Sequence, residues 1–186
     1  MKRTFGILSI LLGAAFASSP AAAQPEWLVS GVFGSHLPMG DYSEVSQSGW
    51  NGGVSLDYRV RRTFGWGIDV MYDAAAADSG DVDFSIFQFG GHWTSYIPSR
   101  SGGAFTPFGQ FGLAFYNIKA EGTGVSDTEG KLGLNAGAGV QYMKPTSAIG
   151  FGADATWHLV FTENESSNFI NVNARVIVSF SDRSQR

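Results

Sequence analysis

Alternation of one apolar residue with one small or polar residue, sustained over stretch after stretch, constrains this chain more tightly than any other feature. Period-two alternation describes a β-strand whose faces meet unlike surroundings. Between 50 and 60, Trp50, Val54, Leu56, Tyr58 and Val60 share one face, against Asn51, Gly53, Ser55, Asp57 and Arg59. Residues 64–74 repeat the pattern, with Phe64, Trp66, Ile68, Val70 and Tyr72 opposite Gly65, Gly67, Asp69, Met71 and Asp73. Residues 131–142, 149–161 and 170–180 do the same, and 26–35 and 105–118 do so less regularly. Residues 82–96 change phase near Ile86-Phe87, which reads as a β-bulge. The expectation is eight strands of about ten residues or more, the length of a tilted membrane-crossing strand and longer than the usual globular strand.

Alternation alone does not say which face is buried. A soluble sandwich or ligand-binding barrel hides its apolar face, whereas a membrane barrel turns that face to lipid and its polar face to a lumen. The second face decides. It carries Gly65, Gly67, Gly133, Gly137, Gly139, Gly150 and Gly152. Glycine weakens a solvent-facing strand, but it suits a narrow lumen with little room for side chains. Aromatic residues gather at strand ends, as an interfacial girdle requires: Tyr58, Phe64, Trp66, Trp93, Tyr96, Tyr142 and Phe180. The charged fraction of 15% falls well below the roughly 25% of soluble domains. The reading is an all-β, eight-stranded antiparallel up-and-down transmembrane β-barrel.

Residues 1–23 stand apart from it. Lys2 and Arg3, an uncharged apolar run from Phe5 to Phe16, and Ala21-Ala22-Ala23 have the order of a cleaved secretory signal. The barrel then spans 24–186, with the last strand ending near 180 and a short polar tail at 181–186. Expected links alternate in length. Those at 36–47, 75–81, 119–129 and 162–167 are long; those near Arg61-Arg62, 98–103 and 144–147 are short. The long links hold Asp41, Glu44, Asp78, Asp81, Glu121, Asp127, Glu129, Glu163 and Glu165 against one base, Lys119. The short turns and the tail hold Arg61, Arg62, Arg100, Lys144, Arg183 and Arg186, with Asp182 the exception. Long outer loops and short inner turns with both termini periplasmic is the outer-membrane arrangement.

Several chemistries are disfavoured. The chain has no cysteine, so no disulfide, thiol nucleophile or cysteine metal site is expected. An acidic balance without a basic cluster argues against nucleic acid. The three histidines, His36, His92 and His158, lack metal-ligand spacing, and His36 is expected to be solvated beside an acidic loop. His92 and Ser95 lie three apart, so on one strand they face opposite sides; His158 has only Glu163 or Ser166 within range. The reading is therefore no catalytic residues, no cofactor and no resident metal, although Asp127 with Glu129 and Glu163 with Glu165 are spaced to share a divalent cation.

Three segments resemble small outer-membrane barrels: Thr106-Pro-Phe-Gly-Gln-Phe-Gly-Leu, Gly133-Leu-Asn-Ala-Gly-Ala-Gly-Val-Gln-Tyr, and Trp157-His-Leu-Val-Phe-Thr-Glu-Asn-Glu-Ser-Ser-Asn-Phe. They are similar to the later strands of the family containing OmpX, OmpW and the OmpA barrel. The resemblance implies residence in the outer membrane, contact with its lipid, and recognition of the last strand, ending in Phe180, by the assembly machinery. The tail after Phe180 departs from that pattern.

Inward parity collects Asp57, Arg59, Asp69, Asp73, Lys131, Asp154, His158 and Arg175 as a lumen polar network. Buried charges must pair, so Arg59 and Arg175 are expected to clamp aspartates across the barrel. The expected function is a non-enzymatic, monomeric outer-membrane barrel with a structural, surface-interaction or minor transport role. The alternatives are a soluble extracytoplasmic barrel holding a hydrophobic ligand and a lipid A-modifying barrel enzyme. Lysine at Val140 or Ala155, both read as lipid-facing and near mid-strand, is the expected probe of orientation.

Overall fold

The computed structural model describes residues 26–44, 46–76, 82–98, 104–122, 125–144, 146–162 and 166–180. Residues 1–23, expected to be a secretory signal, and 181–186, expected to be a polar tail, lie outside the described residues. Eight strands follow in chain order: β1 (Glu26–Met39), β2 (Gly49–Arg61), β3 (Phe64–Ala76), β4 (Val82–Tyr96), β5 (Phe105–Gly122), β6 (Val125–Tyr142), β7 (Ile149–Phe161) and β8 (Ser166–Phe180). Each pairs antiparallel with the next, and β1 pairs with β8 from Trp27↔Phe180 to Met39↔Asn168, which closes the barrel. Closure leaves no unpaired edge, the condition for carrying backbone through lipid. One 3-10 turn, Gly40–Glu44, follows β1, and Gly40 there has φ of +59°, a conformation that glycine adopts without a Cβ clash.

Every strand alternates as its sequence does, with the polar face inside. Asn51, Asp73, Asn135, Asp154, Thr156 and Asn171 are buried, whereas Phe33, Trp50, Phe89, Leu113, Leu132 and Phe151 are exposed on the outer surface. A soluble barrel would reverse this, and only a lipid environment suits so continuous an apolar exterior. On the outside near the chain termini, Trp27 lies 4.6 Å from Tyr58 and 6.3 Å from Trp66, and Phe105 lies 4.7 Å from Tyr142, ring centroid to ring centroid. Phe64, Trp93 and Phe180 point outward at the same end. Tyr96 does not join them. It faces the lumen, where the Arg59 guanidinium sits 4.1 Å from its ring centroid.

Two strand features differ from expectation. β4 has no bulge: its pairing with β3 and β5 runs without a register shift, and the inner parity continues through Ile86, Gln88 and His92. The change near Ile86 is one of composition, because Ile86 faces an apolar layer of the lumen with Tyr116, Val160 and Phe169. The register shift that does occur lies between Arg59 and Arg61, at the β2–β3 turn. The link expected at 119–129 is mostly strand. At 18 residues each, β5 and β6 are far longer than the roughly 9–11 residues that cross a bilayer, so their hairpin continues beyond the lipid. The outward residues of β5 turn polar there, at Asn117, Lys119 and Glu121.

Asp41, Glu44, Glu121, Asp127 and Glu129 all lie at the long-link end and Arg61, Arg62 and Lys144 at the other. Asp78, Asp81, Arg100, Glu163, Glu165, Arg183 and Arg186 fall outside the described residues.

The inner-face glycines are spacers. A Cβ on Gly67 would meet Asp57 Oδ1 and His92 Nε2, each at 2.7 Å, and one on Gly112 would meet Asn135 Oδ1 at 2.7 Å. Side chains of neighbouring strands thus lie across the space that glycine leaves. Gly67→Ala is expected to destabilise the barrel by about 1–3 kcal/mol through overpacking. Urea titration in lipid vesicles checks it, and unchanged stability would show that the lumen has slack at this level.

Candidate functional site

The lumen encloses the polar side chains of the inner face, and its contents are layered along the barrel axis. At the terminus end, Arg59 donates to Glu26 Oε2 at 3.2 Å and Ser179 donates to the other Glu26 oxygen. Arg59 and Glu26 are direct cross-strand neighbours on β2 and β1. The pair is thus a local bridge, and the clamp across the barrel expected for Arg59 is not formed. Tyr96 lies under the guanidinium and completes this closure, a cation-π contact.

The middle holds two charge clusters. In the first, His92 Nε2 lies 2.7 Å from Asp57 Oδ1 and Nδ1 lies 2.7 Å from Asp69 Oδ1. Ser55 donates to Asp57 Oδ2 at 2.7 Å and Gln88 to Asp69 Oδ2 at 3.1 Å. In the second, Arg175 Nε donates to Asp154 Oδ2, while Asn173 at 3.0 Å and Thr156 at 3.2 Å donate to Oδ1. The Asp154 side chain is fully buried. Arg175 also binds on a neighbouring strand, β8 to β7, not across the barrel.

Toward the long-link end the lumen turns aromatic. His158 stacks on Phe169 at 4.5 Å and 9°, its Nδ1 lies 3.0 Å from the Tyr116 hydroxyl, and Val160 and Ile86 pack beside them. His158 therefore belongs to this layer and not to an ionic network. His36, expected to be solvated, is fully buried here. Its Nδ1 is 3.2 Å from both Asp73 Oδ1 and Asn171 Oδ1, and Asn171 donates to Asp73 at 2.7 Å. The expectation failed because β1 continues as strand to Met39, which keeps His36 on inward parity. Tyr42 from the 3-10 turn covers the layer, edge-on to His36 at 6.0 Å; burial pushes its phenol above the ordinary range. Lys131 sits higher still and pairs with Glu129 at 3.0 Å.

Between these layers remain cavities of about 30 Å3 and 20 Å3, each with room for one or two water molecules. Arg175 and Gln110 line both and so stand between them. Of the network read from sequence, the structure brings Asp57 to Asp69 through His92 and Arg175 to Asp154. Asp73, Arg59 and Lys131 take other partners. Sequence reasoning missed Glu26, His36, Gln88 and Tyr116, while His92, weighed above beside Ser95, is the centre of the first cluster; all have inward parity, which was the available signal.

No serine–histidine pair forms at the sites weighed from sequence. His92 points inward while Ser95 points outward; His158 is buried while Ser166 is exposed, and Glu163 lies outside the described residues. Among the described residues no group of three or more His, Cys, Asp or Glu is placed to hold a metal ion.

A family described as "Outer membrane protein beta-barrel domain" matches residues 7–180. No curated protein shows significant sequence similarity to the chain. Among solved structures, Neisserial surface protein A is similar with a TM-score of 0.65 at 16% identity, over 83% of this chain and 97% of that one. OprG of Pseudomonas aeruginosa aligns with a TM-score of 0.63 at 11% identity, over 86% of this chain and 97% of that one. Ail, the attachment invasion locus protein of Yersinia pestis, aligns with a TM-score of 0.52 at 16% identity, over 83% and 98%. At such identities these likenesses concern the fold alone.

Proposed function

Because this chain belongs to the outer membrane protein beta-barrel family and fills its own lumen, we propose that it is a non-enzymatic, monomeric outer-membrane barrel with a structural or surface-interaction role. The observation that carries this reading is the sequence of closures along the axis. Glu26, Arg59 and Tyr96 shut one end, Arg175 and Gln110 divide the middle, and Tyr116, His158 and Phe169 fill the other. Eight strands leave an interior that side chains can fill, and here they do. What remains for interaction is the exterior: the lipid-facing band, and the β5–β6 hairpin that extends past it with Lys119, Glu121, Asp127 and Glu129. Export by the signal at 1–23 and recognition of β8, ending in Phe180, by the assembly machinery belong to the same reading.

Purified protein in planar bilayers is expected to give no stable open channel, only small irregular currents. Reproducible, selective single-channel steps from the wild-type protein would overturn the filled-lumen reading and favour transport.

A further inference from the structure

One inner row crosses the middle of the barrel from strand to strand: Asp57 on β2, Gly67 on β3, His92 on β4, Gly112 on β5, Asn135 on β6 and His158 on β7. With glycine on either side, the His92 ring lies across β3 and reaches Asp57, two strands away, while its other nitrogen meets Asp69. Both contacts are 2.7 Å. A carboxylate only accepts hydrogen bonds, and a neutral imidazole has one N–H and one lone pair. A lone pair held 2.7 Å from a carboxylate oxygen is repelled, so a ring that makes both contacts donates from both nitrogens.

We propose that His92 is held as an imidazolium between Asp57 and Asp69, and that this one proton is the lock that draws β2, β3 and β4 together across the middle of the lumen. The surroundings leave it no substitute. The remaining oxygens of the two aspartates already accept from Ser55 and Gln88. Arg175 on β8 lines the adjoining cavity, but it is engaged by Asp154 on β7. Gln110 on β5, Asn135 on β6, Asn171 and Asn173 on β8 and Val32 on β1 bring no charge to that cavity; His158 on β7 is bonded to Tyr116. Without the proton, two carboxylates on adjacent strands face a ring that can serve only one of them. The other turns into the cavity of about 30 Å3 beside it, water follows, and the contact between β2, β3 and β4 loosens.

The test uses the full barrel, labelled with 15N-histidine, in lipid nanodiscs. The His92 side chain is expected to show a proton on each ring nitrogen at neutral pH. Asp57→Asn and Asp69→Asn should each lose the second N–H at a pH where the wild-type ring keeps both. Raising the pH until wild-type His92 loses that N–H should lower the urea midpoint of unfolding in lipid vesicles over the same pH range; Asp57→Asn/Asp69→Asn/His92→Gln, which has no charge there, should show no such fall. A wild-type spectrum with one bare and one protonated His92 nitrogen would overturn the proposal, since the proton would then sit on a carboxyl group. So would loss of the N–H without any fall in that midpoint. If the variants fail to fold, the wild-type spectrum, assigned through contacts to Gly67 and Gly112, still decides.

Discussion

A lysine at Ala155 is expected to destabilise the folded barrel by about 2–4 kcal/mol, the cost of a cationic side chain at the bilayer midplane. Ala155 lies at the centre of β7, faces outward, and pairs with Ala138 on one side and Val172 on the other. Its neighbours are apolar and the nearest water is half a membrane away, so the ammonium must snorkel or stay dehydrated. Lysine at Val140 is expected to cost less. Val140 lies two residues from the end of β6, near the girdle level of Tyr142, where the penalty falls to about 0–1 kcal/mol. Equilibrium urea titrations of both variants in lipid vesicles test the pair. Equal and negligible effects would mean that the apolar face does not meet lipid.

Arg175→Met should cost still more, about 3–5 kcal/mol, because it removes one partner of a buried ion pair and leaves the other charged. Asp154 has no exposed side-chain surface, and without Arg175 its donors among the described residues are Thr156 and Asn173. Asp154→Asn in the same chain should restore much of the loss, since an amide in that place needs no counter-charge. A double-mutant cycle separates the pair from the packing of the arginine stem. Because Arg175 stands between the two cavities, the single variant should also join them into one. An Arg175→Met protein as stable as the wild type would show that Asp154 has found another partner.

Parity along each strand was legible in the residues themselves. Trp50 to Val60 and Phe64 to Tyr72 show which side chains share a face, and the glycines opposite them show that this second face is crowded. Alternation of apolar and polar groups is enforced one residue at a time by the pleat, so it survives without any knowledge of neighbours. The same local rule places His36 and His92 inside, once β1 is known to run to Met39. Partnership was not legible. Whether Arg59 meets Glu26 or an aspartate, and whether His92 falls in the row of Asp57, depends on stagger between strands, which closure of the whole barrel sets. Ile86 shows the limit from the other side. Its inward position breaks the polar pattern and reads as a bulge, until Tyr116, Val160 and Phe169 from three other strands supply an apolar layer for it to join. Each strand therefore determined which residues enter the lumen, and only the closed sheet decided which of them touch, because contacts between strands follow from a register that no single strand contains.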